Sequence, residues 1–215
     1  MTPSARAPRS LVWAGAVVFV VAAGLILLMV VRPSAASSSG SGKSGAVPAE
    51  NSADVGFARD MSVHHQQAVE MAFLVRDRTD DEDVRRLAYD IINTQANQRG
   101  MMLGWLESWD RPKSSDRPPM EWMGHPATPS DGSLMPGMAT DTDLDGLRAA
   151  AGREAEVLFL RLMTAHHRAG ADMARAAAGT AGTDEIRGLA AGMARAQESE
   201  ISLMTGMLRA RGARP

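Results

Sequence analysis

Apolar residues in this chain recur mostly three and four positions apart, in long stretches separated by short polar breaks. Such steps place side chains on one face of an α-helix, whereas a half-buried strand would alternate at every second position. Ser52 is a suitable N-cap for a first helix that continues to about Arg78. A second helix is predicted from near Asp81 to a point before Pro112. The pattern therefore predicts an all-α fold.

The second half of the chain shows the same arrangement. Thr140 and Asp143 have the spacing of a capping box, which predicts a third helix that ends at Gly179. Thr183 is a suitable N-cap for a fourth helix that ends near Gly212. Residues 111–139 contain most of the prolines of the domain and several glycines. This composition predicts a long irregular connection between the second and third helices.

An internal repeat relates the two halves. A shift of 102 positions aligns residues 57–106 with 159–208 without a gap, and about a quarter of the aligned residues are identical. The repeat predicts two helical hairpins, 52–110 and 140–212, which bury their apolar stripes most simply against each other. We therefore expect a ferritin-like four-helix bundle over residues 52–212, with its long crossover at 111–139.

The N-terminal residues predict export. Residues 11–31 form an uncharged apolar run that is long enough to cross a bilayer as a transmembrane helix. Arg6 and Arg9 precede this run, so the positive-inside rule places residues 1–10 in the cytoplasm and the domain outside the cell membrane. A cleaved signal peptide, which would leave the domain secreted, is the alternative. Residues 32–51 are rich in Ser and Gly and predict a flexible linker.

Composition narrows the possible chemistry. The chain has no cysteine, which excludes disulfides, thiolate metal sites and cysteine nucleophiles. The formal net charge is −2, divided into +3 over residues 1–50 and −5 over the remainder. The sequence has no basic patch with interleaved aromatic residues, so nucleic acid is not an expected partner.

Four of the five histidines occur as two adjacent pairs, in "FARDMSVHHQQAVEMA" at 57–72 and "FLRLMTAHHRAGADMA" at 159–174. Helical spacing places His64 and His166 on the inner stripe of each helix and His65 and His167 at its flank. Imidazole and thioether groups both suit copper. The candidate ligands on the predicted helices are Met61, His64, His65, Met71, Met102, Met163, His166, His167, Met173 and Met204.

Two glutamines interrupt the apolar stripes of the partner helices. Gln95 and Gln197 occupy equivalent positions of the repeat, and a buried amide needs a hydrogen-bond partner. We expect each to bond an inner histidine of its own hairpin and to orient it, as residues behind metal ligands do. The small residues Ala68 and Gly170 leave room near each imidazole. The alternative is a purely structural His–Gln network in which the methionines fill the core.

The connection contains a second group of candidate copper ligands. These are Met120, Met123, His125, Met135 and Met138, all within residues 120–138. Proline and glycine prevent this segment from forming a continuous helix. Thioethers suit Cu(I), and imidazole suits either oxidation state, so the segment is a candidate for copper capture or release. The alternative is a loop that covers one end of the bundle with flexible apolar side chains.

The two His-His motifs, "MPGM" at 135–138 and "QESEISLMTGML" at 197–208 resemble the bacterial family called domain of unknown function number 305. The segment "QANQRGMMLGWL" at 95–106 fits the family pattern less well. The resemblance covers nearly all of residues 52–212. It implies a ferritin-like and usually exported protein from a family with members implicated in copper binding. Gln98 stands where the second hairpin has Glu200, so the two halves are chemically unequal.

These observations predict a membrane-anchored, extracytoplasmic protein that sequesters copper or transfers it, with an unidentified copper-handling protein as a possible partner. An enzyme is not expected, because the sequence lacks the Glu-x-x-His pairs of di-iron proteins and the motifs of hydrolases and nucleotide-binding proteins. Glu70 and Asp172 are the only acids repeated beside the histidines and could assist a site. The alternative is a structural or interaction bundle in which the histidines form a buried network.

Overall fold

The structure, a computed structural model, describes residues 46–214 and consists of α-helices and loops, without a strand in that part of the chain. The prediction of an all-α fold is confirmed. The helices are α1 (Ala53–Arg76), α2 (Glu82–Ser108), α3 (Asp141–Ala149), α4 (Gly152–Thr180) and α5 (Asp184–Ala210). None of the described helices is both long and apolar enough to span a bilayer. The predicted apolar span at 11–31 lies outside the described residues.

The helix starts follow the capping residues found in the sequence. Ser52 Oγ accepts a hydrogen bond from the backbone N–H of Val55, and Asp81 Oδ1 accepts one from Val84. Thr183 Oγ1 accepts the corresponding bond at the start of α5. Each cap satisfies a backbone N–H group that has no partner within its own helix.

The predicted third helix is in fact two helices. Thr140 and Asp143 form the expected capping box, but α3 ends at Ala149 and the backbone is extended at the next two residues. Gly152 then has a φ of +54°, and its N–H donates to the carbonyl oxygen of Arg78 at 2.6 Å. A left-handed residue suits glycine and interrupts the helix. The prediction of one helix to Gly179 was wrong because the apolar periodicity continues across this break.

The two hairpins, α1–α2 and α4–α5, meet mainly through α1 and α4. The core has two packed clusters. The first cluster contains Met61 from the early part of α1 and Met173 from the late part of α4. The second contains Met71 and Met163, in the opposite order along the two helices. Helices α1 and α4 are therefore antiparallel and cross near their histidine pairs.

Polar contacts join the hairpins at one end of the molecule. Thr79 Oγ1 donates to Glu156 Oε1 at 2.6 Å, and Arg211 Nε donates to Glu156 Oε2 at 2.7 Å. Arg211 Nη2 also donates to Asp81 Oδ2 at 2.7 Å. Glu156 is buried and has a partner for each oxygen, so its carboxylate links the α1–α2 turn to both helices of the second hairpin.

The connection between α2 and α3 is held along α1. Asp60 Oδ2 accepts hydrogen bonds from the backbone N–H of Met120 at 2.7 Å and from Trp122 Nε1 at 2.8 Å. Further along, the side chain of Gln67 donates to the carbonyl oxygen of Ala139 at 2.9 Å and accepts from its N–H at 2.7 Å. These bonds fix the Met-containing segment 120–138 between two positions of α1.

Candidate functional site

The four paired histidines form one buried layer where α1 and α4 cross. All four side chains are at most 1% exposed. The rings of His64 and His166 come from different hairpins, and their centroids are 3.6 Å apart with 32° between the ring planes. The ring centroids of His65 and His167 lie 6.5 Å and 6.2 Å from those of their sequence neighbours His64 and His166. The repeat thus brings both pairs into a single site.

Hydrogen bonds define the protonated nitrogen of three of these rings. His166 Nε2 donates to the backbone carbonyl oxygen of His64 at 3.0 Å. His65 Nε2 donates to Gln98 Oε1 at 2.9 Å, and His167 Nε2 donates to Glu200 Oε2 at 2.6 Å. Because the acceptors are oxygens, Nε2 carries the hydrogen and Nδ1 carries the lone pair. The Nδ1 atoms of all four histidines are buried and have no hydrogen-bond partner, and the same is true of His64 Nε2.

Burial keeps the imidazoles of His64, His65 and His166 uncharged. Loss of solvation lowers the pKa of His64 and of His166 well below 6.5, and the neighbouring imidazoles lower it further. Burial also lowers the pKa of His65 to about 4, although the hydrogen bond with Gln98 opposes this effect. Neutral imidazole is the form that binds metal ions. These rings therefore need not lose a proton before binding a metal ion at neutral pH.

The two glutamines have contacts that differ from those expected. Gln95 and Gln197 are buried and their Oε1 atoms have no hydrogen-bond partner, while the histidines bond Gln98, Glu200 and a backbone carbonyl instead. Gln197 nevertheless lies at the site. A Cβ on Gly170 would be 2.5 Å from Gln197 Oε1 and 3.0 Å from His64 Cε1. Gly170 therefore gives room to side chains from both hairpins.

Sequence reasoning did not identify Gln98 and Glu200 as the partners of the flanking histidines. A signal for them exists in the repeat, because each lies 33 positions after its histidine. Each also follows the inner-stripe glutamine by three positions, which is nearly one helical turn.

The methionines predicted on the helices are divided into two groups of three by the histidine layer. Each group belongs to one of the two core clusters, and all six side chains are fully buried. One group is Met61, Met102 and Met173, and the other is Met71, Met163 and Met204. Thioether groups are therefore present in the core on both sides of the imidazoles.

The methionines of the connection all lie in or against one of the two core clusters. Met120 and Met135 are buried in the cluster that contains Met61, and Met123 and Met138 pack against it while partly exposed. His125 is exposed. Gly137 in "MPGM" has a φ of +79°, and a Cβ there would be 2.4 Å from Cβ of Ala169 on α4. The segment therefore rests directly on α4 and covers the cluster.

The repeated acids lie apart from the histidine layer. Glu70 pairs with Arg148 at 2.6 Å, and Asp172 pairs with Arg175 at 2.5 Å, in exposed ion pairs. Within residues 46–214, no three His, Asp or Glu side chains are grouped so that they could hold a metal ion. Any metal site built from the described residues in this arrangement would thus need methionine sulfur or a rotation of the imidazole rings.

Comparison with known sequences identifies the family. Residues 54–208 match the family described as domain of unknown function (DUF305). The chain belongs to the DUF305 family. A search of curated proteins gave no match. A DUF305 protein from Streptomyces coelicolor, described as secreted, is 57% identical, with a TM-score of 0.73 over 77% of this chain and 98% of that protein.

Two other solved structures are similar at lower identity. A DUF305 fragment from Deinococcus radiodurans is 30% identical, with a TM-score of 0.62 over 75% of this chain and 98% of the fragment. CopM in its Cu(II)-bound form is 27% identical, with a TM-score of 0.57 over 71% of this chain and 93% of that protein. These similarities extend over most of the helical region of the DUF305 chain described above.

Proposed function

We propose that this DUF305 protein binds copper outside the cytoplasmic membrane and sequesters it or passes it on. The observation that carries the proposal is the buried layer of four imidazoles, each with a Nδ1 atom that has no hydrogen-bond partner. A buried polar atom without a partner costs about 1–3 kcal/mol. Metal binding would use the lone pairs of these nitrogens. The similarity to CopM, a protein with a Cu(II)-bound form, supports copper as the ion.

The proposed ligands combine imidazole nitrogen with thioether sulfur. Methionine sulfur suits Cu(I), and imidazole suits both Cu(I) and Cu(II). In this proposal the histidine layer and the methionine groups beside it supply the site, and segment 120–138 captures or releases the ion. The role is binding and transfer, without catalysis.

Coordination of a single ion by both His64 and His166 requires a change in ring orientation. The lone pairs of an imidazole lie in the ring plane, and the ring centroids of His64 and His166 are 3.6 Å apart with 32° between the planes. Their in-plane lone pairs consequently do not converge on a single ion. Rotation of either ring about its side-chain torsions would direct nitrogen towards Met61 or Met163, which lie about one turn earlier on the same helices.

The wider architecture that we propose is a ferritin-like four-helix bundle attached to the membrane through residues 11–31. The antiparallel pairing of α1 with α4 and the two repeated hairpins support the bundle. The similarity to a DUF305 protein that is described as secreted supports an extracytoplasmic domain. A second protein that delivers or accepts copper is the partner expected for a transfer function.

A structural role for the histidines is the second candidate function. The stacked rings, the hydrogen bonds to Gln98 and Glu200, and the buried methionines together make a packed core. In that case the bundle would act as a scaffold or interaction module, and its histidines would contribute to stability alone.

Replacement of His64, His65, His166 and His167 by Gln distinguishes the two functions. If the histidines are ligands, the variant should bind less copper per protein than the wild type while its circular dichroism remains helical. If they are structural, copper binding should be unchanged and the free energy of unfolding should fall. Metal analysis after dialysis, with Cu(II) and with Cu(I) under reductant, provides the measurement. Equal copper content in both proteins would refute the proposed site.

A further inference from the structure

The two flanking histidines have equivalent partners of different charge. His65 on α1 donates to Gln98 on α2, and His167 on α4 donates to Glu200 on α5. The repeat superimposes these pairs, since both histidines and both partners differ by 102 positions. One half of the site therefore has a neutral amide behind its histidine and the other half has a carboxylate.

We infer that Gln98 and Glu200 are positioning residues that make Nδ1 the ligating atom of His65 and His167, and that Glu200 makes the His167 half the tighter Cu(II) site. This inference rests on the proposed copper function. It assigns the two halves different roles, with Cu(II) held preferentially beside His167 and a more neutral site beside His65.

The tautomer follows from the acceptors. A carboxylate or an amide oxygen can only accept a hydrogen bond, so Nε2 of each histidine must be the donor. The hydrogen on Nε2 leaves the lone pair on Nδ1, which is buried and has no other partner in either ring. The two partners thus direct the free nitrogen of each ring into the protein interior.

The difference in charge affects donor strength. A hydrogen bond from an imidazole N–H to a carboxylate raises the basicity of the opposite nitrogen and improves it as a metal ligand. The His167–Glu200 distance of 2.6 Å is shorter than the 2.9 Å between His65 and Gln98, as expected for a charge-assisted bond. Greater basicity benefits Cu(II) more than Cu(I), because Cu(II) is the harder and more highly charged ion.

The metal-free protein tests the tautomers directly. Imidazole 15N spectra of the full chain should show His65 and His167 protonated at Nε2. The Nε2 proton of His167 should resonate further downfield than that of His65, and Glu200→Gln should remove this difference. Protonation at Nδ1 in either ring, or identical Nε2 proton shifts in the wild type, would overturn the inference before any copper is added.

A reciprocal exchange of the two partners tests the Cu(II) preference. Glu200→Gln retains an oxygen acceptor and removes only the charge, so it should weaken Cu(II) binding about 10- to 100-fold with a smaller effect on Cu(I). Gln98→Glu should strengthen Cu(II) binding, and the double exchange should return its affinity towards that of the wild type. Competition titrations with a chelator of known affinity give the constants.

The outcomes separate this inference from the proposed function. Unchanged Cu(II) affinity in both single variants, in proteins that bind copper and remain helical, would overturn the role of Glu200. A wild-type protein that binds no copper would refute the proposed function and the Cu(II) preference together. In that case the 15N spectra would still decide the tautomers, because they need no metal.

Discussion

Gly170 shows how a single position makes the two halves of the repeat unequal. The equivalent residue of the first hairpin is Ala68, whose side chain is fully buried in the core. At residue 170 a Cβ would approach Gln197 Oε1 to 2.5 Å and His64 Cε1 to 3.0 Å. In the first half this space is filled by the methyl group of Ala68. In the second half it is left open at Gly170 and is taken by the His64 imidazole and the Gln197 amide.

Gly170→Ala should lower the free energy of unfolding by about 1 kcal/mol, since overpacking costs more than the gain in helix propensity. Gly192→Ala on α5 is the matched control, because a Cβ there meets nothing within 4 Å. The control should raise the free energy of unfolding by about 0.5–1 kcal/mol. Urea unfolding provides both values, and equal stabilisation by the two substitutions would contradict the close packing at His64.

At the scale of single residues, the sequence predicts which histidines are buried but not what they contact. Helical spacing is sufficient to place His64 and His166 in the interior, because burial follows the apolar stripe. It does not reveal that their rings stack on each other, since that depends on the crossing of α1 and α4. Gln98 and Glu200 were not recognised as partners, because their bonds join two helices and periodicity describes only one helix at a time.

At the scale of elements, the connection 111–139 combines two properties. It is irregular, as its prolines and glycines predict, and it is also firmly held by Asp60 and Gln67 of α1. Burial raises the pKa of Asp60, while its hydrogen bonds from Met120 and Trp122 act in the opposite direction. The methionines of this segment are therefore held in place against one of the two core clusters.

Replacement of Met120, Met123, Met135 and Met138 by Leu separates packing from metal binding. Leucine preserves most of the volume, so each substitution should cost less than about 1.5 kcal/mol. Removal of sulfur should weaken Cu(I) binding much more than Cu(II) binding if the segment supplies ligands. Met193→Leu, in the same cluster but outside the proposed ligands, should change neither affinity. If the fourfold variant binds Cu(I) as tightly as the wild type, segment 120–138 supplies no copper ligands and only covers the core cluster that contains Met61.

The sequence predicts the helices well and the interruption between α3 and α4 poorly. Ser52, Thr140 and Thr183 are local signals, and each cap forms as expected. The second helix begins near Asp81 as predicted, and Asp81 caps it. The interruption depends on the contact between Gly152 and the carbonyl of Arg78, which are distant in sequence. A glycine within an apolar pattern is compatible with a continuous helix, so the sequence alone does not locate the break.

At the scale of the whole molecule, the histidine layer makes stability depend on pH. The pKa of His65 is about 4 in the folded protein, whereas an unfolded histidine titrates near 6.5. Below pH 6.5 the unfolded chain therefore binds protons that the folded protein excludes. The contribution of His65 to the free energy of unfolding is therefore complete above pH 6.5 and is lost as the pH falls towards 4.

Metal-free protein should lose about 2 kcal/mol of unfolding free energy between pH 7 and pH 5 from His65 alone. His64 and His166 should add to this loss, because burial lowers the pKa of both. Urea unfolding at the two pH values gives the difference. His65→Gln removes one titrating group, so the loss of unfolding free energy between the two pH values should be smaller by the amount that His65 contributes. A wild-type protein that is equally stable at both pH values would contradict buried, neutral imidazoles at His64, His65 and His166.

The antiparallel crossing of α1 and α4 at equivalent histidines relates the hairpins by an approximate two-fold rotation. Two copies of one hairpin would close such a core as an isologous dimer, with identical rings meeting at the axis. Joining them in one chain replaces an encounter between molecules with a high effective concentration, so assembly no longer depends on protein concentration. It also removes the requirement that both halves be identical. A fused chain can therefore carry Gln98 in one half and Glu200 in the other, which two copies of one hairpin cannot.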